Sequence, residues 1–413
     1  MSASAQHDVV IIGAGAAGLG AARRLRGAGI DVLTLEARDR LGGRGCTVLP
    51  EPDLPLDLGC GWLHSADRNP FAEVAQELGF TIDKTQPGWQ RASAFAKSIQ
   101  PERQDFAAAV EKLEGRLEQA AKAGREGPAS EYIDPSDRYA PLFDAFSSYY
   151  NGTEFDQVSV LDYDAFADSG INWRVREGYG ALIAALGRGS RIELQAAVAS
   201  IDRSGSMLKL ETSRGTITAR TAIVTISTDL IANEHIVFRP ALPDKIAAAA
   251  GLPLGLADKL FLRLERAEEF PENTYLFGRT DRAGTGSYNI RPFGRPYVEA
   301  YFGGRQARAL EAQGGGAFAA FACDELAGLF GSDVRGRLRP IAVSGWAGDP
   351  FAHGAYSHAL PGYAQNRGKL AEPIEDRLFF AGEACSLHAF STAHGAYETG
   401  VAAAEAALAV LLR

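Results

Sequence analysis

Gly13-Ala-Gly15-Ala-Ala-Gly18 lies between a short apolar run, Asp8–Ile12, and an alanine-rich stretch of helical composition, Ala14 to Ala28. A second apolar run, Ile30–Glu36, ends in a carboxylate. The pattern constrains the fold strongly because each glycine has its own steric task. Gly13 makes the tight turn out of a strand, Gly15 lets backbone approach a pyrophosphate, and Gly18 lets the helix lie against the strand. Ala16 and Ala17 open that helix, whose free N–H groups and partial positive charge suit phosphates. Glu36 would accept hydrogen bonds from the ribose of an adenosine and repel a 2′-phosphate, which disfavours NADP. The expected unit is a β-α-β element carrying FAD or NAD.

The 413 residues leave room for two or three domains. With 46% hydrophobic and 23% charged residues, the composition is that of a globular chain. A net charge of −9 without a long basic run argues against nucleic acid as a partner. Cys46, Cys60, Cys323 and Cys385 are scattered without CxxC spacing. That argues against a zinc site or a disulfide framework and fits a reducing, cytoplasmic setting; no metal is expected. The first twenty residues lack a basic start, and glycines interrupt their apolar run, so they read as strand and turn rather than leader. Gly400 to Leu412 is too short to span a bilayer. The expectation is a monomer or homodimer without a membrane partner.

Helices are expected at Pro70–Gly79, Glu102–Ala123, Arg138–Tyr150, within Arg305–Phe330 and at His394–Leu412. Phe106, Val110, Leu113 and Leu117 form one stripe at helical spacing. Short strands at Ile192–Leu194, Val198–Ile201, Met207–Glu211, Thr216–Thr218 and Ala222–Ile226 predict an antiparallel meander that returns to the sheet. Further strands are expected at Leu256–Leu264, Tyr297–Phe302 and Leu378–Phe380.

Glu36-Ala37-Arg38-Asp39-Arg40-Leu41-Gly42-Gly43-Arg44 continues from the ribose carboxylate. A glycine pair followed by arginine at this place resembles the flavin-containing amine oxidase family. Three more blocks are similar to it: Leu56-Asp57-Leu58-Gly59-Cys60-Gly61-Trp62-Leu63-His64, Gly255–Leu264 with Lys259, and Gly345 to Gly362 followed by Leu378–Cys385 and Ser391–Gly400. The resemblance implies FAD, with Gly42, Gly43, Arg44, Ala37 and Arg38 near its phosphates and ring. Gly59, Cys60, Gly61 and Trp62 would lie along the isoalloxazine, and Gly382 and Glu383 at the ribityl chain. His394, Gly395 and Ala396 would open a helix facing flavin O2, while Val198 and Ser227 would stand near the adenine. Lys259 would hold a water at flavin N5, and Trp346 would form an aromatic wall. His64 would stand beside the substrate channel, and Tyr356 and Thr392 would frame the substrate.

Two departures refine the resemblance. Monoamine oxidases attach flavin through a cysteine where this chain has Ala355, so the FAD is expected to be non-covalent. They also use two tyrosines where this chain has Tyr356 and Thr392, and its Ser-Thr-Ala-His-Gly run resembles polyamine oxidases and histone demethylases of the same fold. The chain is also too short for the long helical insertion and docking domain of the histone demethylases of this fold, which favours a small amine over a histone tail.

The implied fold is α/β: a Rossmann-like FAD-binding domain (1–80, 191–250 and 340–413) interleaved with an α+β substrate-binding domain (81–190 and 251–339). The implied reaction is oxidation of a C–N bond of a primary or secondary amine by hydride transfer to flavin N5, with O2 as acceptor, giving imine or aldehyde and H2O2. An L-amino-acid oxidase, or another FAD-dependent oxidase, dehydrogenase or desaturase of the same fold, is the alternative; Arg174, Arg176 and Arg291 are its candidate carboxylate clamps.

Overall fold

The computed structural model describes residues 5–91 and 93–413. Val9, Val10 and Ile11 have no exposed surface, because their strand, Ala5–Ile12, has both faces covered. Side chains alternate across a strand, and here they alternate between two cores. Val9 and Ile11 pack with the helices Ala16–Leu25 and Ala393–Leu411. Val10 and Ile12 pack with Leu33, Leu35, Ile201 and Leu210 on the other side. This is why the sequence shows an unbroken apolar run here, as buried parallel strands do.

Ala5–Ile12 pairs in parallel with Val32–Leu35 on one side and with Gly215–Val224 on the other. Ile192–Glu193 lies parallel outside Val32–Leu35, so it joins the main sheet rather than the meander. Two expected strands, Thr216–Thr218 and Ala222–Ile226, are one strand of ten residues. Its first half pairs antiparallel with Leu208–Thr212, and its last residues pair in parallel with Leu378–Phe380. The exposed Arg220 hides this continuity in the sequence. Val198–Asp202 and Val237–Arg239 complete the eight strands.

A second, antiparallel sheet runs Thr274–Phe277, Ser287–Ile290, Tyr297–Gly303, Ala257–Leu264, Leu338–Val343. The last strand straddles the boundary expected at 340. Leu260, Leu262, Val298, Ala300, Tyr288 and Leu276 face a core under the helices Gly304–Ala312 and Gly315–Phe330. The alternate positions, among them Lys259, Glu299, Tyr301, Asn289 and Tyr275, therefore face the other way, into a cavity. The expected helix Arg305–Phe330 is two helices, parted at Gln313 and Gly314. The helices Arg103–Lys122 and Ala140–Asn151 share a further core through Phe106, Leu113, Leu117, Leu142 and Phe143.

The first and last helices touch backbone to backbone. A Cβ on Gly400 would stand 2.0 Å from Ala17 O, and one on Gly20 2.9 Å from Tyr397 O. We expect Gly400→Ala to lower stability by about 1–3 kcal/mol, the usual cost of overpacking a tight contact. Urea unfolding of the flavin-loaded protein reads this, and an unchanged midpoint would show that the helices can part freely.

Candidate active site

A cavity of about 780 Å³ runs from the first glycine turn to the inner face of the second sheet. At its start Glu36 closes the strand Val32–Leu35 and accepts from Ala14 N–H (2.7 Å) and Arg38 N–H (2.9 Å). The strand end, turn and carboxylate are thus one hydrogen-bonded unit. Gly13, Gly15, Ala16, Ala17 and Ala37 line the cavity beside Glu36. Gly18 does not; a Cβ there would stand 1.8 Å from Gly13 O, so its task is helix-to-strand packing. Gly15 differs: its Cβ would meet no atom closer than 3.9 Å and would fill cavity space instead.

Gly42 and Gly43 take positive φ (98° and 58°) and bring their backbone against Gly15. Gly42 N–H donates to Ala14 O at 2.8 Å. Arg38 pairs with Asp349 at 2.5 Å, and Arg44 donates to Ala355 O (2.7 Å) and Glu383 (2.9 Å). Glu383 also accepts from Ser357 N–H, Ser357 Oγ and Ser391 N–H. Burial alone would raise its carboxyl, but Arg44, the Ser357 hydroxyl and Arg367 hold it down. Glu383 thus locks three loops together, and Gly382 beside it presents bare backbone to the cavity. Val198 and Ser227 line the cavity near Leu230, His235 and Ile236. The Ser227 hydroxyl is engaged by Ala352 O at 3.0 Å.

The cradle fits FAD: a glycine turn with free helix N–H groups, a carboxylate at the ribose position, and a space that a side chain on Gly15 would fill. Gly59, Cys60, Gly61 and Trp62 line the cavity further on. A Cβ on Gly59 would stand 1.7 Å from Arg44 O. Burial pushes the Cys60 thiol up to about 12, so it stays protonated.

Lys259 is 6% exposed, and its Nζ lies where a Cβ on Gly61 would be only 3.0 Å away. Nζ donates to Asp57 O (3.1 Å) and pairs with Glu299 (3.1 Å), which in turn pairs with Arg174 (2.7 Å). Burial would raise the Glu299 carboxyl; Arg174 and then Lys259 outweigh it and bring it to about 2. Sequence reasoning missed Glu299 and gave Arg174 another task. The available signal was one acid in the otherwise apolar strand Tyr297–Gly303, whose register puts Glu299 two pairs along from Lys259 and on the same face. Arg176 pairs with Asp83 and Arg291 bonds Phe270 O; Arg174, Arg176 and Arg291 all lie outside the cavity lining.

Trp346 lines the cavity with Nε1–H donating to Leu58 O at 3.1 Å. Tyr356 donates to Tyr149 O (2.6 Å) and meets the Tyr301 hydroxyl at 2.9 Å. The second tyrosine beside Tyr356 therefore comes from the second sheet. Thr392 lines the cavity, but its hydroxyl caps the last helix, accepting from Gly395 N–H (3.0 Å) and donating to Ala389 O (2.6 Å). The Gly395 amide is accordingly not free for a ligand. A Cβ on Gly395 would also stand 1.9 Å from Ala389 O. Ala396 lines the cavity; His394 and Gly395 do not. Burial lowers His394 to about 4, so it is neutral.

His64 Nδ1 lies 2.6 Å from Asn172 Oδ1, and Asn172 Nδ2–H donates to Gly170 O at 3.1 Å. Gly170 thereby turns Oδ1 toward His64, which puts the proton on Nδ1 and leaves Nε2 as an acceptor. Burial lowers the His64 pKa and favours this neutral form. The remaining wall is aromatic: Trp62, Trp89, Phe106, Tyr149 and Phe277, from elements between 62 and 277.

Behind Lys259, the Asp258 side chain has no exposed surface and accepts from Ser344 Oγ (2.7 Å) and Trp346 N–H (3.2 Å). Burial, with Glu311 nearby, pushes its carboxyl up from 3.8 to about 7. Over that interval the unfolded chain has released the proton and the folded chain still holds it. The group therefore costs stability progressively as pH rises through the interval, and fully above it. We expect Asp258→Asn to flatten this slope, its Tm gaining on the wild type between about pH 4 and pH 8. A Tm difference that does not change with pH would place the ionisation elsewhere.

A family model for flavin containing amine oxidoreductases matches residues 16–408. Polyamine oxidase 3 of Oryza sativa subsp. japonica is 30% identical over 438 residues, covering 96% of this chain and 88% of its own. Probable polyamine oxidase 4 of Arabidopsis thaliana is 27% identical, with 97% and 86% covered. Among solved structures, cyclohexylamine oxidase from Brevibacterium oxydans has a TM-score of 0.78 at 22% identity, covering 98% of this chain and 100% of that one. A putrescine oxidase redesigned in its cofactor binding also has a TM-score of 0.78, at 17% identity, with 98% and 100% covered. The two structures share the fold.

Proposed function

The chain belongs to the flavin-containing amine oxidoreductases, and from that premise we propose that it oxidises a C–N bond of a small amine, a polyamine foremost, with O2 as electron acceptor. The amine loses two electrons and two protons to become an imine, O2 becomes H2O2, and water splits the imine to an aldehyde and the departing amine. Bound FAD supplies the two-electron chemistry at the substrate α-carbon. The reading rests on one observation: the buried Lys259 ammonium faces the same cavity as the glycine cradle, pressed against Gly61.

In this reading Gly15, Gly42, Gly43 and the N-terminus of the helix Ala16–Leu25 hold the pyrophosphate, and Glu36 holds the ribose. Ala355 offers no sulfur for a covalent link, so the coenzyme is held non-covalently. The second sheet and the helices over it form the substrate-binding unit. Lys259 has a third N–H beyond those engaged by Asp57 and Glu299, and it positions a water at the reacting centre. Neutral His64 accepts a substrate N–H through Nε2 and so orients the amine nitrogen. Tyr149, Tyr301, Tyr356 and Trp346 exclude bulk water, which disfavours an unpaired ammonium near them. No helix among the described residues is long and apolar enough to cross a membrane.

The polyamine preference has its own support. Glu299 is matched by two cations, whereas Asp168 lines the cavity with both its hydrogen bonds, from Ser65 Oγ and Gly170 N–H (each 3.0 Å), on Oδ1. Oδ2 is open to a second cationic nitrogen. Anaerobic addition of putrescine, spermidine or spermine should bleach the flavin, and Lys259→Met should slow bleaching or reoxidation more than tenfold, about 1.4 kcal/mol in the barrier. A flavin that no amine bleaches, or a Lys259→Met enzyme at full speed, overturns the reading. Asp168→Asn should raise KM for a diamine at least fivefold over its effect on a monoamine of the same length; equal effects on both would remove Asp168 from recognition.

A further inference from the structure

At the adenosine end of the cavity, away from the amine chemistry, three side chains with metal-binding atoms converge. Asp229 belongs to the short helix Thr228–Ala232, His235 follows that helix, and His353 comes from the loop between Asp349 and Tyr356. One ligand atom from each lies within 4.8 Å of the other two. His353 Nδ1 and Asp229 Oδ2 are 2.7 Å apart, and the His235 ring stands edge-on to His353 with centroids 4.9 Å apart. The His235 ring makes no hydrogen bond to the described residues, so both of its nitrogens are available.

We propose that Asp229, His235 and His353 bind a transition-metal ion of the Zn2+ type, which clasps two loops over the coenzyme. Two imidazoles and one carboxylate form a set that zinc takes with a fourth position left for water; Ca2+ and Mg2+ prefer all-oxygen sites. Ligands at zinc distances stand about 3.4 Å apart around a tetrahedral ion. The observed separations bracket that value, and the side chains are free to adjust: Asp229 and His353 are 29% and 30% exposed, and His235 is exposed. Without metal, a proton between Asp229 and His353 bridges the two ligands. Binding the ion displaces that proton and recruits His235.

The consequence follows from where the ligands are attached. His235, with Leu230 and Ile236, lines the cavity beside Val198, and Pro350 and Phe351, next to His353, line it from the other loop. Asp229 and His353 are 124 residues apart in the chain. An ion held by both loops resists their separation and so slows coenzyme loss. It also stabilises the folded state by mass action. None of the four cysteines contributes, and for that reason cysteine spacing gave no sign of the site.

The test uses tag-free, flavin-loaded protein stripped with EDTA, dialysed against micromolar ZnCl2 and analysed for metal. We expect one zinc per chain, and at least tenfold weaker binding in His235→Ala and Asp229→Asn. His235 is exposed, so its truncation leaves the core intact, and flavin absorbance verifies each variant. Zinc should slow flavin release, followed by fluorescence after dilution, at least threefold in the wild type and not in His235→Ala. No zinc retained by the wild type, or equal retention by His235→Ala, overturns the site; release that bound zinc leaves unchanged overturns the clasp. Neither readout needs amine turnover, so the result stands apart from the proposed activity.

Discussion

A charged amine buried in a protein wall must be compensated, and the arrangement around Lys259 follows from that requirement. Taking an ammonium out of water costs several kcal/mol even after relaxation, and only well-placed partners offset it. Glu299 supplies the opposite charge from the neighbouring strand, Asp57 supplies a carbonyl from the short strand Leu56–Asp57, and Arg174 keeps Glu299 ionised. Residues from three distant stretches thus meet on one charge. Removing a charged partner would strand an ion in the interior.

Around this polar spot much of the cavity wall is aromatic, among it Trp62, Tyr149, Tyr301, Trp346 and Tyr356. The tyrosines solve the problem of their own hydroxyls by bonding to each other and to backbone: Tyr301 to Tyr356, Tyr356 to Tyr149 O, and Tyr149 to Thr285 O at 2.7 Å. The chain fixes ring orientation and keeps the hydroxyls from drawing water inward. His64 is treated the same way, with Gly170 orienting Asn172 and Asn172 orienting the imidazole. Chemistry that needs a neutral nitrogen benefits from tyrosine hydroxyls that are already engaged.

What could be read from the sequence was whatever depends on local steric rules. The glycine turn, the first strand and helix, Leu378–Phe380 and the closing helix stand close to where periodicity and glycine spacing put them. The strands Thr274–Phe277 and Ser287–Ile290 did not show because each is only four residues long, too short for alternation to stand out. Ser287 and Asn289 face the cavity, and Tyr288 and Ile290 face the core. Glu299 and Asn172 were invisible for a related reason: each matters through one partner distant in sequence, which only the packed chain brings close. Thr392 lines the cavity, and its hydroxyl is engaged there because the helix behind it needs a cap.

The contact between Gly400 and Ala17 has a bearing on how the protein is made. The helix Ala393–Leu411 comes after every other element, yet it covers the face of the glycine-turn helix that carries Ala17 and packs against Val9 and Ile11. During synthesis that apolar face stays uncovered until residues 393–411 have emerged from the ribosome. The glycine-turn helix thus gains its full packing only from a segment made long after it.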